Sequence, residues 1–179
     1  AVLETWLAAA AQALPPGVDS PALSAGPNGL QLAFLERQAE ADGTIPLLGP
    51  NGALWTAALT NGQWQAAPVH DEAGGLVFAE QPNLAFAQGE TLLVFRRFDP
   101  ASDSNAALGQ ISMSRRQGDG SFTAPIYLTD APQQNWQPAL AINPLTQEAI
   151  VIKVSRAAWE PAASAARASS AAPVRTAIS

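Results

Sequence analysis

Apolar positions follow two different periods along this chain. Over the first fourteen residues Leu3, Trp6, Leu7, Ala10 and Leu14 stand at helical spacing, one stripe in an Ala- and Leu-rich segment. Pro15-Pro16-Gly17 ends it. The pattern predicts a short N-terminal helix within 1–17. Without Lys or Arg, its stripe reads as cover for an edge or core rather than as a membrane-surface helix. From residue 21 the period changes to short apolar runs broken by Gly, Pro, Asn and Asp. Gly26-Pro27-Asn28-Gly29, Ala87-Gln88-Gly89-Glu90 and Asn143-Pro144-Leu145-Thr146 are turn-sized interruptions, each predicting a hairpin. The strands before these turns alternate only in part, as strands buried on both faces do.

A phrase opened by proline recurs. Pro21-Ala22-Leu23-Ser24-Ala25, Pro82-Asn83-Leu84-Ala85-Phe86 and Pro138-Ala139-Leu140-Ala141-Ile142 each lead into a second apolar run. The second halves of the first two copies also match. Gly52–Leu59 parallels Gly109–Arg115, and Asn61-Gly62-Gln63-Trp64 parallels Asp119-Gly120-Ser121-Phe122. Asn-Gly and Asp-Gly between apolar runs are strong hairpin signals. Each full copy therefore predicts four antiparallel strands in two hairpins, the pattern of a β-propeller blade. The expected fold is all-β, with about two and a half propeller-like four-stranded blades and a short N-terminal helix. The units are 21–81, 82–137 and a half repeat over 138–154. An Ala-, Ser- and Pro-rich stretch, 155–179, shows no strand pattern and reads as a tail or linker.

Composition narrows the functions. Hydrophobic residues make up 47% of the 179 and charged residues only 13%, so most of the chain can fold. A net charge of −6 argues against a nucleic-acid surface. The chain has no cysteine, which excludes disulfides, thiolate metal sites and cysteine nucleophiles. It has a single histidine, His70. No apolar run reaches the roughly 18 residues of a membrane-spanning helix. A start at Ala1 without a basic n-region is expected of a processed chain or a piece of something longer.

The blade pattern resembles the sialidase-like propeller group with Asp-box (BNR) repeats, over about 21–154. The resemblance rests on Ser114 followed by Gln117-Gly118-Asp119-Gly120-Ser121-Phe122, a degenerate box, and on the weaker Thr60-Asn61-Gly62-Gln63-Trp64. It implies a box on the turn between the third and fourth strands of a blade. The arginines, tyrosine nucleophile and acid/base aspartate that it implies for an enzyme do not carry over. Phe95-Arg96-Arg97-Phe98 lacks the following Ile-Pro, and Tyr127, the only tyrosine, stands in an apolar strand.

Several constellations could carry chemistry. Asp99, Asp103 and Asn105 offer hard oxygen ligands to Ca²⁺, set against a solvated loop with Asx turns. His70-Asp71-Glu72 places a base beside carboxylates, but neighbours in sequence point different ways. Arg96 suits a ligand carboxylate or a structural ion pair, and as a strand neighbour of Arg97 it faces the other way. Trp136, just ahead of the third repeat proline, is the preferred aromatic contact for a ligand.

The expected function is a non-catalytic structural or binding module of a larger secreted or surface protein. Its partners would be the remaining blades, on the same or another chain, with carbohydrate or protein as ligand. The alternative is a part of a sialidase-like glycoside hydrolase whose catalytic residues lie mostly on other blades. Paired carboxylates on the propeller's central face would mark it.

Overall fold

A computed structural model describes residues 18–27, 29–37, 52–98, 109–129, 135–155 and 174–178. The expected helix within 1–17 lies outside them, as do Asp99, Asp103 and Asn105. The described backbone is all-β and antiparallel, without a helix. Strands β1 (Val18–Gly26), β2 (Gly29–Arg37), β3 (Gly52–Thr60) and β4 (Gln63–Pro68) form one unit. Strands β5 (Phe78–Ala87), β6 (Glu90–Phe98), β7 (Gln110–Arg115) and β8 (Ile126–Tyr127) repeat the order. A single bridge, Ala53 to Phe78, links the two. The third unit is β9 (Asn135–Ile142), β10 (Ala149–Ser155) and β11 (Val174–Ile178).

Strand β11 lies within the stretch read as a tail or linker, beyond the Ala- and Ser-rich segments 162–166 and 169–173, which fall outside the described residues. Val174, Thr176 and Ile178 alternate, and β-branched residues at every second position suit a pleated strand. Residue by residue, β11 pairs with β10 from Ala149–Ile178 to Lys153–Val174. Five residues of alternation are hard to see among so many Ala and Ser.

The turns form where their residues permit positive φ. Asn61 and Gly62 stand at φ 53° and 78°, and Gln88 and Gly89 at 50° and 85°. Two successive left-handed residues make the type I′ turn whose twist suits a hairpin. In the third unit Asn143 Oδ1 accepts from the N–H groups of Leu145 and Thr146, an Asx turn.

Each repeat proline sits in a β-bulge. The residue before it is left-handed every time: Ser20 at 50°, Gln81 at 51°, Gln137 at 48°. Pairing jumps from Asp19–Leu35 to Ala22–Ala33, from Glu80–Arg96 to Asn83–Val94, and from Trp136–Val154 to Ala139–Ile152. Two residues on the bulged strand thus oppose one on its partner. A bulge frees the proline from donating to the ladder and re-aims the side chain ahead of it.

The units stack face to face. Ala33, Leu35 and Leu54 of the first pack on Ala79, Leu93 and Phe95 of the second. On the other face of β6, Leu92 and Val94 join Ile111, Met113, Ala149 and Val151. Both faces of β6 are therefore buried. The bulged strands β1, β5 and β9 lie side by side. A Cβ at Gly26 would fall 2.8 Å from Cδ2 of Phe86, so β1 meets β5 where only glycine fits. Asn83 Nδ2 donates to the carbonyl of Pro138 at 2.8 Å, tying β5 to β9.

Candidate functional site

The bulges place two carboxylates at equivalent positions. Asp19, Glu80 and Trp136 each stand one residue before the left-handed residue of their bulge. Asp19 Oδ2 meets Arg37 Nε at 2.7 Å, and its other oxygen accepts from the Ser20 N–H. Glu80 Oε2 meets Arg96 Nη1 at 3.1 Å. Both arginines come from the strand paired to the bulged one, β2 and β6. The two carboxylate side chains are 46% and 14% exposed, so both reach solvent from beside a buried guanidinium.

Electrostatics hold Asp19 charged. Burial works to raise the pKa of Asp19, but the Arg37 hydrogen bond, the Ser20 N–H and the Arg37 charge together outweigh it and lower the pKa. Burial lowers the pKa of Arg96 against the opposing pull of Glu80; a guanidinium stays protonated all the same. Arg96 also lies 4.6 Å over the Phe98 ring.

Arg96 is 1% exposed, so its guanidinium is shut off from solvent behind the partly exposed Glu80. Trp136 pairs through its backbone with Val154 on β10. It holds the position in β9 that Asp19 holds in β1 and Glu80 in β5. Arg97 faces the other way, meeting Asp71 at 3.5 Å and lying 5.3 Å over Tyr127. Tyr127 and Ile126 are half-exposed on β8. Asp71 caps a turn by accepting from Ala73 and Gly75, while His70 Nδ1 bonds the Gly74 carbonyl. His70 and Asp71 thus both serve the turn at 71–75.

Residues 117–121 form a turn. Gln117 N–H donates to the Ser121 carbonyl at 2.7 Å, and Arg116 bridges to Phe122. Asp119 accepts from the Ser121 hydroxyl and N–H, which lower its pKa. Its partner is Ser121 rather than Ser114, whose hydroxyl is fully buried. Among the described residues no three His, Asp or Glu side chains cluster to hold a metal.

Sequence reading passed over Asp19 and Glu80. A signal was present: each stands two residues before a repeat proline, as Trp136 does.

No family model and no curated protein matches the chain. Among solved structures it is similar to the crystal structure of α-L-arabinofuranosidase from Lactobacillus brevis, with a TM-score of 0.52 and 16% identity. The match covers 80% of this chain and 49% of that one, so the chain spans about half its length. At that identity the likeness is one of fold.

Proposed function

We propose that this chain is a carbohydrate-binding module of a larger, propeller-like secreted or surface protein. Each unit is then a blade, and β1, β5 and β9 are neighbouring first strands of the ring. Asp19, Glu80 and Trp136 line one end of them, with further blades supplied by the same or another chain. The observation that carries the reading is the triple bulge, which repeats one ligand-facing position on three adjacent strands. Two carboxylates held by arginines are fixed acceptors for sugar hydroxyls, and the residue at the third equivalent position is a tryptophan, a type that stacks on sugar faces. The fold shared with an arabinofuranosidase supports sugars as ligands.

A second reading makes the chain part of a glycoside hydrolase, in which Asp19 and Glu80 are the carboxylate pair. Their equivalent positions favour it. A general acid, however, needs a raised pKa, and Asp19 has a lowered one. Polysaccharide arrays that include arabinan, together with hydrolysis of a chromogenic arabinofuranoside, separate the two. Binding lost in Asp19→Asn or Glu80→Gln, without turnover, supports the module. Turnover that these substitutions abolish supports the hydrolase. Binding to no glycan overturns both.

A further inference from the structure

The tip of the β3–β4 hairpin carries a reactive pair of groups that the fold leaves unused. Thr60, Asn61, Gly62 and Gln63 are all exposed. The turn closes between Thr60 and Gln63, so the Gly62 N–H takes no part in its hydrogen bond. The Asn61 carboxamide bonds to no described residue. A Cβ at Gly62 would meet nothing within 4 Å, so the space around the glycine is open.

Asparagine is a thermolabile residue, and here its carboxamide carbon lies next in the chain to an unhindered backbone N–H. The Gly62 nitrogen gives its proton to hydroxide and attacks Cγ of Asn61. A C–N bond forms, the bond from Cγ to Nδ2 breaks, and Nδ2 leaves as ammonia with a proton from water. Water then opens the five-membered imide at either carbonyl, giving aspartate or isoaspartate. Water is the only co-reactant, and nothing is oxidised or reduced.

The other asparagines with described side chains are held back. Asn83 Nδ2 donates to the carbonyls of Gln81 at 3.0 Å and Pro138 at 2.8 Å. Asn143 Oδ1 accepts from Leu145 and Thr146, and the next residue, Pro144, has no N–H to attack with. In the pairs Asn28-Gly29 and Asn51-Gly52 the asparagine lies outside the described residues.

We propose that Asn61 is a site of spontaneous deamidation, and that its isoaspartyl product frees β4 and Trp64 from the first unit. Imide closure must turn the Asn61–Gly62 linkage out of the type I′ geometry, so it follows opening of the hairpin tip. Strand β4 pairs with β3 alone and is mostly exposed, so that opening costs little. Isoaspartate carries the main chain through the former side chain, one atom longer. A two-residue turn has no room for the added atom, and the pairs Thr60–Gln63 and Leu59–Trp64 are lost together. Trp64, which packs on Leu32, Phe34 and Ala57, leaves with its strand. The inference stands apart from glycan binding.

The test is ageing of the full 179-residue chain at mildly alkaline pH in isotope-labelled water, followed by peptide mapping and amide NMR. The peptide holding Asn61 is expected to take up one labelled oxygen, to become a substrate for isoaspartyl methyltransferase, and to react faster as pH rises. Asn83 must first give up two hydrogen bonds, so it is expected to react at least about tenfold more slowly. In the aged protein the amides of Leu59, Thr60, Gln63 and Trp64 are expected to move while those of β5 to β7 stay. Asn61→Gly keeps residues that suit a type I′ turn but has no carboxamide, and is expected to age without these shifts. Asn61 intact when Asn83 or Asn143 has reacted overturns the proposal, as does a product that is aspartate alone. Conversion of Asn61 with the Leu59 and Trp64 amides unmoved also overturns it, and so does the same loss of β4 in aged Asn61→Gly.

Discussion

The backbone N–H of Gln137 donates to Oε1 of Gln81 at 2.8 Å. These two residues hold the same place in successive repeats, each left-handed and each just before its proline. One bulge is thus bonded to the next, and the repeat is a contact as well as a pattern.

Substitution at Gln81 separates the two roles of that position. Gln81→Val loses the bond and puts a β-branched residue at φ 51°, so a cost of about 1–3 kcal/mol is expected. Gln81→Gly loses the same bond but accepts the backbone freely, and is expected to be the milder change. Urea unfolding of both variants checks this. Equal losses would show that the left-handed backbone carries no strain.

Glu80 and Arg96 form an ion pair whose arginine is buried. Glu80→Gln replaces the carboxylate of this pair by a neutral amide that still accepts, at an expected cost of about 1–3 kcal/mol. Replacing both partners, as Glu80→Leu with Arg96→Met, is expected to cost less than Glu80→Gln alone. Denaturant midpoints of the single and double variants decide it. A double variant less stable than the single one would mean that Arg96 acts chiefly through its other contacts.

What could be read in advance was local. Asn61-Gly62 announces a type I′ turn because asparagine and glycine tolerate positive φ, and it forms one. The prolines announce the repeat. The bulges were hidden, because the left-handed residue is Ser once and Gln twice, and neither type favours that backbone. Their conformation comes from stacking of neighbouring strands, which no single stretch of sequence encodes. The carboxylates were hidden for the same reason. Asp19 and Glu80 differ in type and are 61 residues apart, and only the shared bulge makes them equivalent. Arg96 was visible as a charge in an apolar strand, but its burial depends on Glu80 and Phe98, which the fold rather than the local sequence brings to it.

Gly26 shows how closely β1 and β5 approach. A methyl at Gly26 would sit 2.8 Å from Cδ2 and 3.1 Å from Cγ of Phe86, closer than real contacts allow. The Phe86 ring would have to move, so Gly26→Ala is expected to cost about 1–3 kcal/mol by overpacking. Gly26→Ala combined with Phe86→Leu should recover part of that loss. Thermal unfolding of the three variants checks the coupling, and strict additivity would place the clash elsewhere.

Asp19 makes stability depend on pH in a definite direction. Its folded pKa lies below the unfolded value of about 3.9, so the unfolded chain binds more protons in that range. The contribution of its ion pair with Arg37 is fully present above the unfolded pKa. It is lost as pH falls through the folded pKa. Asp19→Asn removes this titration and the pair together. The variant is expected to be less stable than the wild type at pH 7, with the gap closing as pH falls below about 4. With its side chain nearly half-exposed, the pair is also screened by salt, and added salt should narrow the gap at neutral pH. Urea midpoints taken across that pH range test the sign. A gap that stays constant down to low pH would mean that the Arg37 pairing does not hold Asp19 ionised.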